Sequence, residues 1–234
     1  TIQRIEAGEV TPRSYTVKAL FEALDYQWEE LKSNLSDAEA KAPAYLYLAF
    51  ASGLVYFFMA FYEIGMEYEW IEDGFVENKK TLTGVKLVTF LTYMGFLGGL
   101  LALEKYFPIR FLKVALWVMI GFNVVTYGLD MISLHTTVLD IQDYYLVKLE
   151  AFGLAYVFLG VSYLAYKNIK AGVAQIIGAM GLIAGIWIFS VVGVLFVLLP
   201  LTFFEIGQLG LMIYFIQKIG RRNSPGFNPD SATA

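Results

Sequence analysis

Long runs of apolar residues constrain this chain more than any other feature of its sequence. The first extends from Ala44 to about Gly65, close to the ~20 residues that a helix needs to cross the hydrocarbon core of a bilayer. Five more runs follow, at about Gly84 to Leu103, Phe111 to Met131, Tyr145 to Tyr166, Ala171 to Val192 and Val197 to Gln217. Only 16% of the 234 residues are charged, whereas 58% are hydrophobic. The sequence therefore predicts an integral membrane protein with a six-helix transmembrane domain over residues 44–219.

The turn between the last two runs is ambiguous, because both lie in one apolar block without a charged residue. A turn fits equally at Ser190 to Gly193 or at Leu199-Pro200. Beyond the block, residues 220–234 are predicted to form a disordered tail.

The charges between the runs predict an orientation, since short cytoplasmic loops are enriched in Lys and Arg. Three connecting or terminal segments are basic: Lys105, Arg110 and Lys113; Lys167 and Lys170; and Lys218, Arg221 and Arg222. The segments that alternate with them are acidic or uncharged, including Glu67 to Glu77 and Asp130 to Asp143. We therefore expect both termini on the cytoplasmic side of a prokaryotic inner membrane.

Small residues recur at helical spacing in two of the runs. They are Gly95 and Gly99 in one run, and Ala174, Gly178, Gly181 and Gly185 in another. Such stripes let helices approach closely. Contacts within one bundle are the favoured interpretation over a dedicated dimer interface.

The first 32 residues differ from the rest because they are polar and follow helical periodicity. Gly8 marks a helix end, Thr11-Pro12 a helix start, and Val17, Leu20, Phe21 and Leu24 form one face of an amphipathic helix. Residues 33–43 are predicted to link this module to the first membrane helix.

The string Ile5-Glu6-x-Gly8, Thr11-Pro12 and Thr16-Val17-x-x-Leu20-x-x-Ala23-Leu24 resembles the C-terminal part of the Cro/C1-type (XRE family) helix-turn-helix domain. The resemblance implies that the rest of that domain precedes Thr1. It also places Thr1, Gln3 and Arg4 on the face of the recognition helix that contacts an operator, with Arg4 as the main base or phosphate contact. The resulting fold class is all-α, a partial helix-turn-helix domain followed by a six-helix transmembrane bundle.

The charge of this module opposes that interpretation. Residues 1–42 contain five basic and eight acidic side chains, whereas a phosphate-binding surface should be basic. A helical module that binds another protein, or nothing, is therefore the alternative to DNA binding.

Four carboxylates inside or at the ends of the runs are candidates for a membrane acidic site: Glu63, Asp130, Glu150 and Glu205. Ionisable groups within a bilayer are costly and often functional, and these four are expected at similar depth. The alternative is that Glu63, Asp130 and Glu150 reach surface water, with Lys148 pairing one of them. Glu205 follows Pro200 among apolar residues, so we expect it to face the bundle interior, with Glu63, a cation or a proton as its partner.

The remaining candidates for chemistry are the single histidine and the common catalytic motifs. His135, the only histidine, could join a metal or pH-sensing site, although a solvated loop histidine is favoured. The identity of any metal or cofactor is left open. The chain lacks cysteine and the common catalytic motifs, so an enzyme is not predicted.

Together these features predict a membrane-integrated one-component transcription regulator. A signal or cation would change the packing or the homodimerisation of the bundle, and the linker would pass that change to a DNA-binding domain. The alternative is a small membrane transporter or channel-like protein whose soluble helices are regulatory.

Overall fold

The computed structural model describes residues 42–73, 78–106, 110–136, 141–166, 172–190 and 194–222. These segments contain six α-helices: α1 (Ala44–Asp73), α2 (Lys79–Ala102), α3 (Arg110–His135), α4 (Ile141–Leu164), α5 (Val173–Phe189) and α6 (Val194–Arg222). A short 3-10 helix, Leu103–Lys105, extends α2. The predicted helix-turn-helix module lies outside the described residues.

Five of the six helices are long and apolar enough to cross a membrane, and α5 is the exception. It has 17 residues and therefore spans about 25 Å, less than the ~30 Å hydrocarbon core. The prediction of membrane helices is confirmed for α1, α2, α3, α4 and α6. The interpretation of α5 as a sixth full span stays a prediction.

Several helix boundaries differ from the sequence prediction. The first helix continues to Asp73, so Glu67 and Glu69 lie in α1 and not in a loop. Similarly α6 continues to Arg222, three residues into the predicted tail. Of the two candidate turns, Leu199-Pro200 is wrong, because α5 ends at Phe189 and α6 begins at Val194 and contains Pro200 inside the helix.

Local sequence explains where two helices begin. The side chain of Asn78 accepts a hydrogen bond from Thr81 N at 3.1 Å and so caps the start of α2. Gly172, at the start of α5, has a φ of +68°, a left-handed conformation that favours glycine.

Residues Pro43–Ile216 form one unit, within which α1 packs against α2, α2 against α3, α3 against α4, and α4 against α5. The second unit, Thr1–Ala42 with Gln217–Ala234, contributes only residues 42 and 217–222 to the described part. The backbones of α4 and α5 approach each other closely. A Cβ placed on Gly160 would lie 2.5 Å from Leu182 N, and one on Gly185 would lie 2.5 Å from Val157 N. The predicted role of the Gly178–Gly185 stripe in packing within the bundle is confirmed.

The distribution of polar residues in this unit is the reverse of that in a soluble protein. Phe58, Leu91 and Leu199 are each at least 65% exposed, whereas Lys86 is fully buried and Asp130 is 1% exposed. Large apolar side chains on the outside and charged ones inside suit a bundle surrounded by lipid. The chain is accordingly a multi-pass membrane protein.

Candidate functional site

A buried lysine on α2 joins three carboxylates from two other helices. Lys86 Nζ donates hydrogen bonds to Glu63 Oε1 at 3.1 Å, to Asp130 Oδ2 at 2.8 Å and to Glu67 Oε1. The lysine side chain is fully buried, and the three carboxylate side chains are at most 9% exposed. An ammonium group donates three hydrogen bonds, so Lys86 has its full complement of acceptors.

A second lysine, on α4, completes this network. Lys148 Nζ lies 2.7 Å from Glu67 Oε1 and 2.9 Å from Asp130 Oδ2. Glu67 and Asp130 therefore each contact both ammonium groups, whereas Glu63 contacts the ammonium group of Lys86 but not that of Lys148. We call Glu63, Glu67, Lys86, Asp130 and Lys148 the ion cluster.

Two tyrosines of neighbouring helices supply further hydrogen bonds. Tyr127 OH donates to Glu63 Oε2 at 3.0 Å, and Tyr144 OH donates to Asp130 Oδ1 at 2.7 Å. The ring of Tyr127 also lies 5.6 Å from Lys86 Nζ, within cation–π range. The charged oxygens are thus held by fixed donors, as burial of charge requires.

Helix geometry explains why these residues meet. Glu63 and Glu67 are four positions apart and so lie on the same face of α1. Lys86 and Lys148 are each seven residues past the first residue of their helices, roughly 10 Å along the axis. Because α1 and α3 end where α2 and α4 begin, all of these side chains lie near one end of the bundle.

The cluster contains three carboxylates and two ammonium groups, and therefore has one excess negative charge when all five are ionised. The oxygens of Glu63, Glu67 and Asp130 lie within 4.8 Å of one another, a spacing that could hold a metal ion. However, Lys86 Nζ already contacts all three carboxylates. The ammonium group takes the place of the metal, and the donor set does not require one.

A second cluster of polar side chains surrounds Glu205, deeper in the bundle. Tyr56 OH donates to Glu205 Oε1 at 2.8 Å, and Tyr156 OH lies 3.5 Å from the same oxygen. Tyr56 also stacks on Tyr93, with ring centroids 4.1 Å apart. Tyr56 precedes Glu63 by seven residues on α1, which separates the two groups by roughly 10 Å along the helix axis.

A cavity of about 310 Å³ extends between the ion cluster and the tyrosines around Glu205, and all six helices contribute to its walls. Its polar lining consists of Glu63, Glu67, Lys148, Thr89, Asn123, Tyr56, Tyr93, Tyr127, Tyr145 and Tyr156. Apolar side chains of α1, α4, α5 and α6, among them Phe152, Ile188 and Leu201, form the remainder. A volume of this size accommodates a small organic molecule.

The predicted acidic residues separate into three environments. Glu63 and Asp130 come together in the ion cluster, buried and not at surface water as the alternative had it, although Lys148 does pair with Asp130. Glu205 faces the interior, being 8% exposed, but its partners are tyrosines and not the expected Glu63. Glu150 is exposed on α4 and lies outside the cluster. Thr1, Gln3 and Arg4 lie outside the described residues.

Sequence reasoning missed Lys86 and assigned Glu67 to a loop. The signal for Lys86 was available, because a lysine inside a predicted apolar run is as costly as a carboxylate. Glu67 would have followed from its four-residue spacing to Glu63. His135, expected in a loop, is the last residue of α3 and is exposed. Its Nε2 atom lies 3.4 Å from Thr83 Oγ1.

Comparison with protein-family models, curated proteins and solved structures finds no match to this chain.

Proposed function

We propose that this protein is a membrane-integrated transcription regulator of the helix-turn-helix type, whose membrane bundle is the sensor. The bundle comprises six membrane helices with α5 as a short member, and both termini are cytoplasmic. The observation that carries the sensor role is the 310 Å³ cavity that borders a buried ion cluster. Charged groups buried in a bilayer are expensive to keep and are retained where they bind or respond to something.

Connectivity supports a route from this cavity to DNA. Helix α1 carries Glu63 and Glu67 and begins one residue after the linker that follows the N-terminal module. A ligand that shifts α1 relative to the other helices would therefore act directly on the linker. If the bundle has two conformations that differ in the position of α1, a ligand that binds one of them more tightly increases the population of that conformation.

DNA binding by the full-length gene product in lipid nanodiscs tests the regulator. We expect a salt-dependent gel shift with an operator near its own gene, weakened in Arg4→Ala. Arg13→Ala is the control, because it removes the same charge from the same module outside the recognition helix. Absence of specific DNA binding at every salt concentration would end this proposal.

A second candidate function is transport, favoured by the arrangement of two carboxylate groups along one cavity. Glu63 lines the cavity at one depth, while Tyr56 and Tyr156 join its deeper part to Glu205. Chains of carboxylates and hydroxyls at different depths are typical of proton pathways. Proteoliposomes containing a pH-sensitive dye distinguish the two functions: proton flux that disappears in Glu205→Gln supports transport, whereas none is expected of a sensor.

A further inference from the structure

The cavity combines three features that select one class of ligand. It has an acidic end, formed by Glu63 and Glu67. Its middle is aromatic, with the side chains of Tyr56, Tyr93 and Phe152 in the lining. Its remaining wall is aliphatic.

We propose that the cavity binds a small organic monocation, an ammonium group attached to an apolar body. This inference rests on the sensor role proposed above and names the chemical class of the signal. The ammonium group would lie at the acidic end beside Glu63, and the apolar body would contact the tyrosine rings and the side chains of α5 and α6.

Charge supports a cation over an anion. The ion cluster has one negative charge in excess, and Glu63 contacts only one of the two ammonium groups while facing the cavity. Lys148 also lines the cavity, but its Nζ is within 3 Å of both Glu67 and Asp130. The carboxylates already neutralise Lys148, and Glu63 is the cavity-lining carboxylate with the fewer ammonium contacts, one against the two of Glu67.

Asn123 gives an independent indication of a polar ligand. This residue lines the cavity and is only 2% exposed. Its amide nitrogen donates to Met119 O at 2.8 Å, and its amide oxygen is a hydrogen-bond acceptor. An N–H donor of a ligand in the cavity could donate a hydrogen bond to that oxygen.

The aromatic lining suits an organic cation better than an inorganic one. Faces of tyrosine rings attract ammonium groups within about 6 Å, as Lys148 and Tyr145 already illustrate at 5.3 Å. A hydrated metal ion would gain little from the aliphatic wall, whereas an alkyl chain would bury apolar area against Ile188 and Leu201.

Three six-carbon probes that differ in the charge of the head group test the inference with the full-length protein in nanodiscs: hexylammonium, 1-hexanol and hexanoate, titrated by calorimetry alongside empty nanodiscs. We expect hexylammonium to bind saturably and at least about tenfold more tightly than hexanol, since a close charge pair contributes at least that factor. Hexanoate should not bind. Titrations with NaCl and MgCl2 should give no saturable heat.

Glu63→Gln is the decisive variant. It leaves two carboxylates and two ammonium groups, a balanced cluster, so the bundle should remain folded while hexylammonium affinity falls about tenfold or more. Glu69→Gln is the matched control, because it removes the same charge from an exposed position of the same helix. If Glu63→Gln fails to fold, Asn123→Leu replaces it, with weaker hexylammonium binding expected.

Several results would overturn the inference: equal affinity for hexylammonium and hexanol, tighter binding of hexanoate, saturable binding of Na⁺ or Mg²⁺ alone, or an unchanged affinity in Glu63→Gln. These titrations contain no DNA. Failure of the ligand inference is thereby distinguishable from failure of the regulator, which the gel shift measures separately.

Discussion

Lys86 on α2 and Asp130 on α3 are 44 positions apart in the chain, yet Nζ of the one lies 2.8 Å from Oδ2 of the other. The same carboxylate oxygen accepts a second hydrogen bond, from Lys148 Nζ at 2.9 Å. One oxygen thus joins α2, α3 and α4. This arrangement makes the ion cluster a structural element as well as a candidate site, and its contribution to stability is measurable.

Replacing Lys86 with Met should destabilise the bundle by about 3–5 kcal/mol, because buried Glu63 would lose its ammonium partner and only Lys148 would remain for Glu67 and Asp130. Reversible unfolding in mixed micelles measures the change in free energy. Lys113→Met is the control. Lys113 pairs with Glu104, and the two side chains are 45% and 30% exposed, so loss of this ion pair should lower the free energy of unfolding by less than about 1 kcal/mol. Equal losses in the two variants would contradict the central role of Lys86.

Glu63→Gln should partly rescue the Lys86→Met variant. Without Lys86, Glu63 has no ammonium group within hydrogen-bonding distance among the described residues, so removal of its charge relieves an unpaired buried carboxylate. The double-mutant cycle should give a coupling free energy of about 0.5–3 kcal/mol, in the range for residues in contact. Strictly additive effects would show that the two side chains do not interact.

Glu205→Gln should keep the fold but change function. The amide oxygen of Gln can still accept from Tyr56 OH and Tyr156 OH, whereas the negative charge is lost. Signalling or transport should therefore be lost while membrane insertion stays normal, measured between pH 5 and 8. Glu205→Leu should in addition lower stability, because it leaves Tyr56 OH without this acceptor. Parent-like activity of Glu205→Gln at every pH would make this carboxylate incidental.

Gly160→Ala should separate α4 from α5. The added Cβ would lie 2.5 Å from Leu182 N, and backbone cannot move aside as a flexible side chain can. We expect a loss of about 1–3 kcal/mol in unfolding free energy, typical of overpacking. Gly128→Ala is the matched control in α3: apart from its own helix backbone, no described atom lies within 4 Å of the added Cβ, so the substitution should be neutral or stabilising.

Reporter fusions test the orientation. A reporter fused after Asn78 should be active outside the membrane, and one fused after Asn168 should be active in the cytoplasm, because the segments around them are respectively acidic and basic. A fusion after Ser190 tests α5 further: external activity is expected if α5 crosses the bilayer despite its 17 residues. The opposite result at any of these positions would change the number of spans or their direction.

Much of the architecture was predictable because it depends on local sequence. Apolar runs of sufficient length predict α1, α2, α3, α4 and α6, since the backbone in a bilayer must satisfy its own hydrogen bonds as helix. The boundaries were less predictable, because a helix that leaves the hydrocarbon core can continue through charged residues. For this reason α1 includes Glu67 and Glu69, which polarity alone assigned to a loop.

The sequence by itself predicted an interior position for Glu205, because its neighbours in the last helix are apolar, and it left both burial and surface water open for Glu63 and Asp130. Only the tertiary structure decided their partners. Hydrogen bonds to Lys86, Tyr56 and Tyr156 depend on the rotation and depth of separate helices, and helical periodicity describes one helix at a time. The cavity is likewise formed by all six helices together, so no single segment of the chain could predict it.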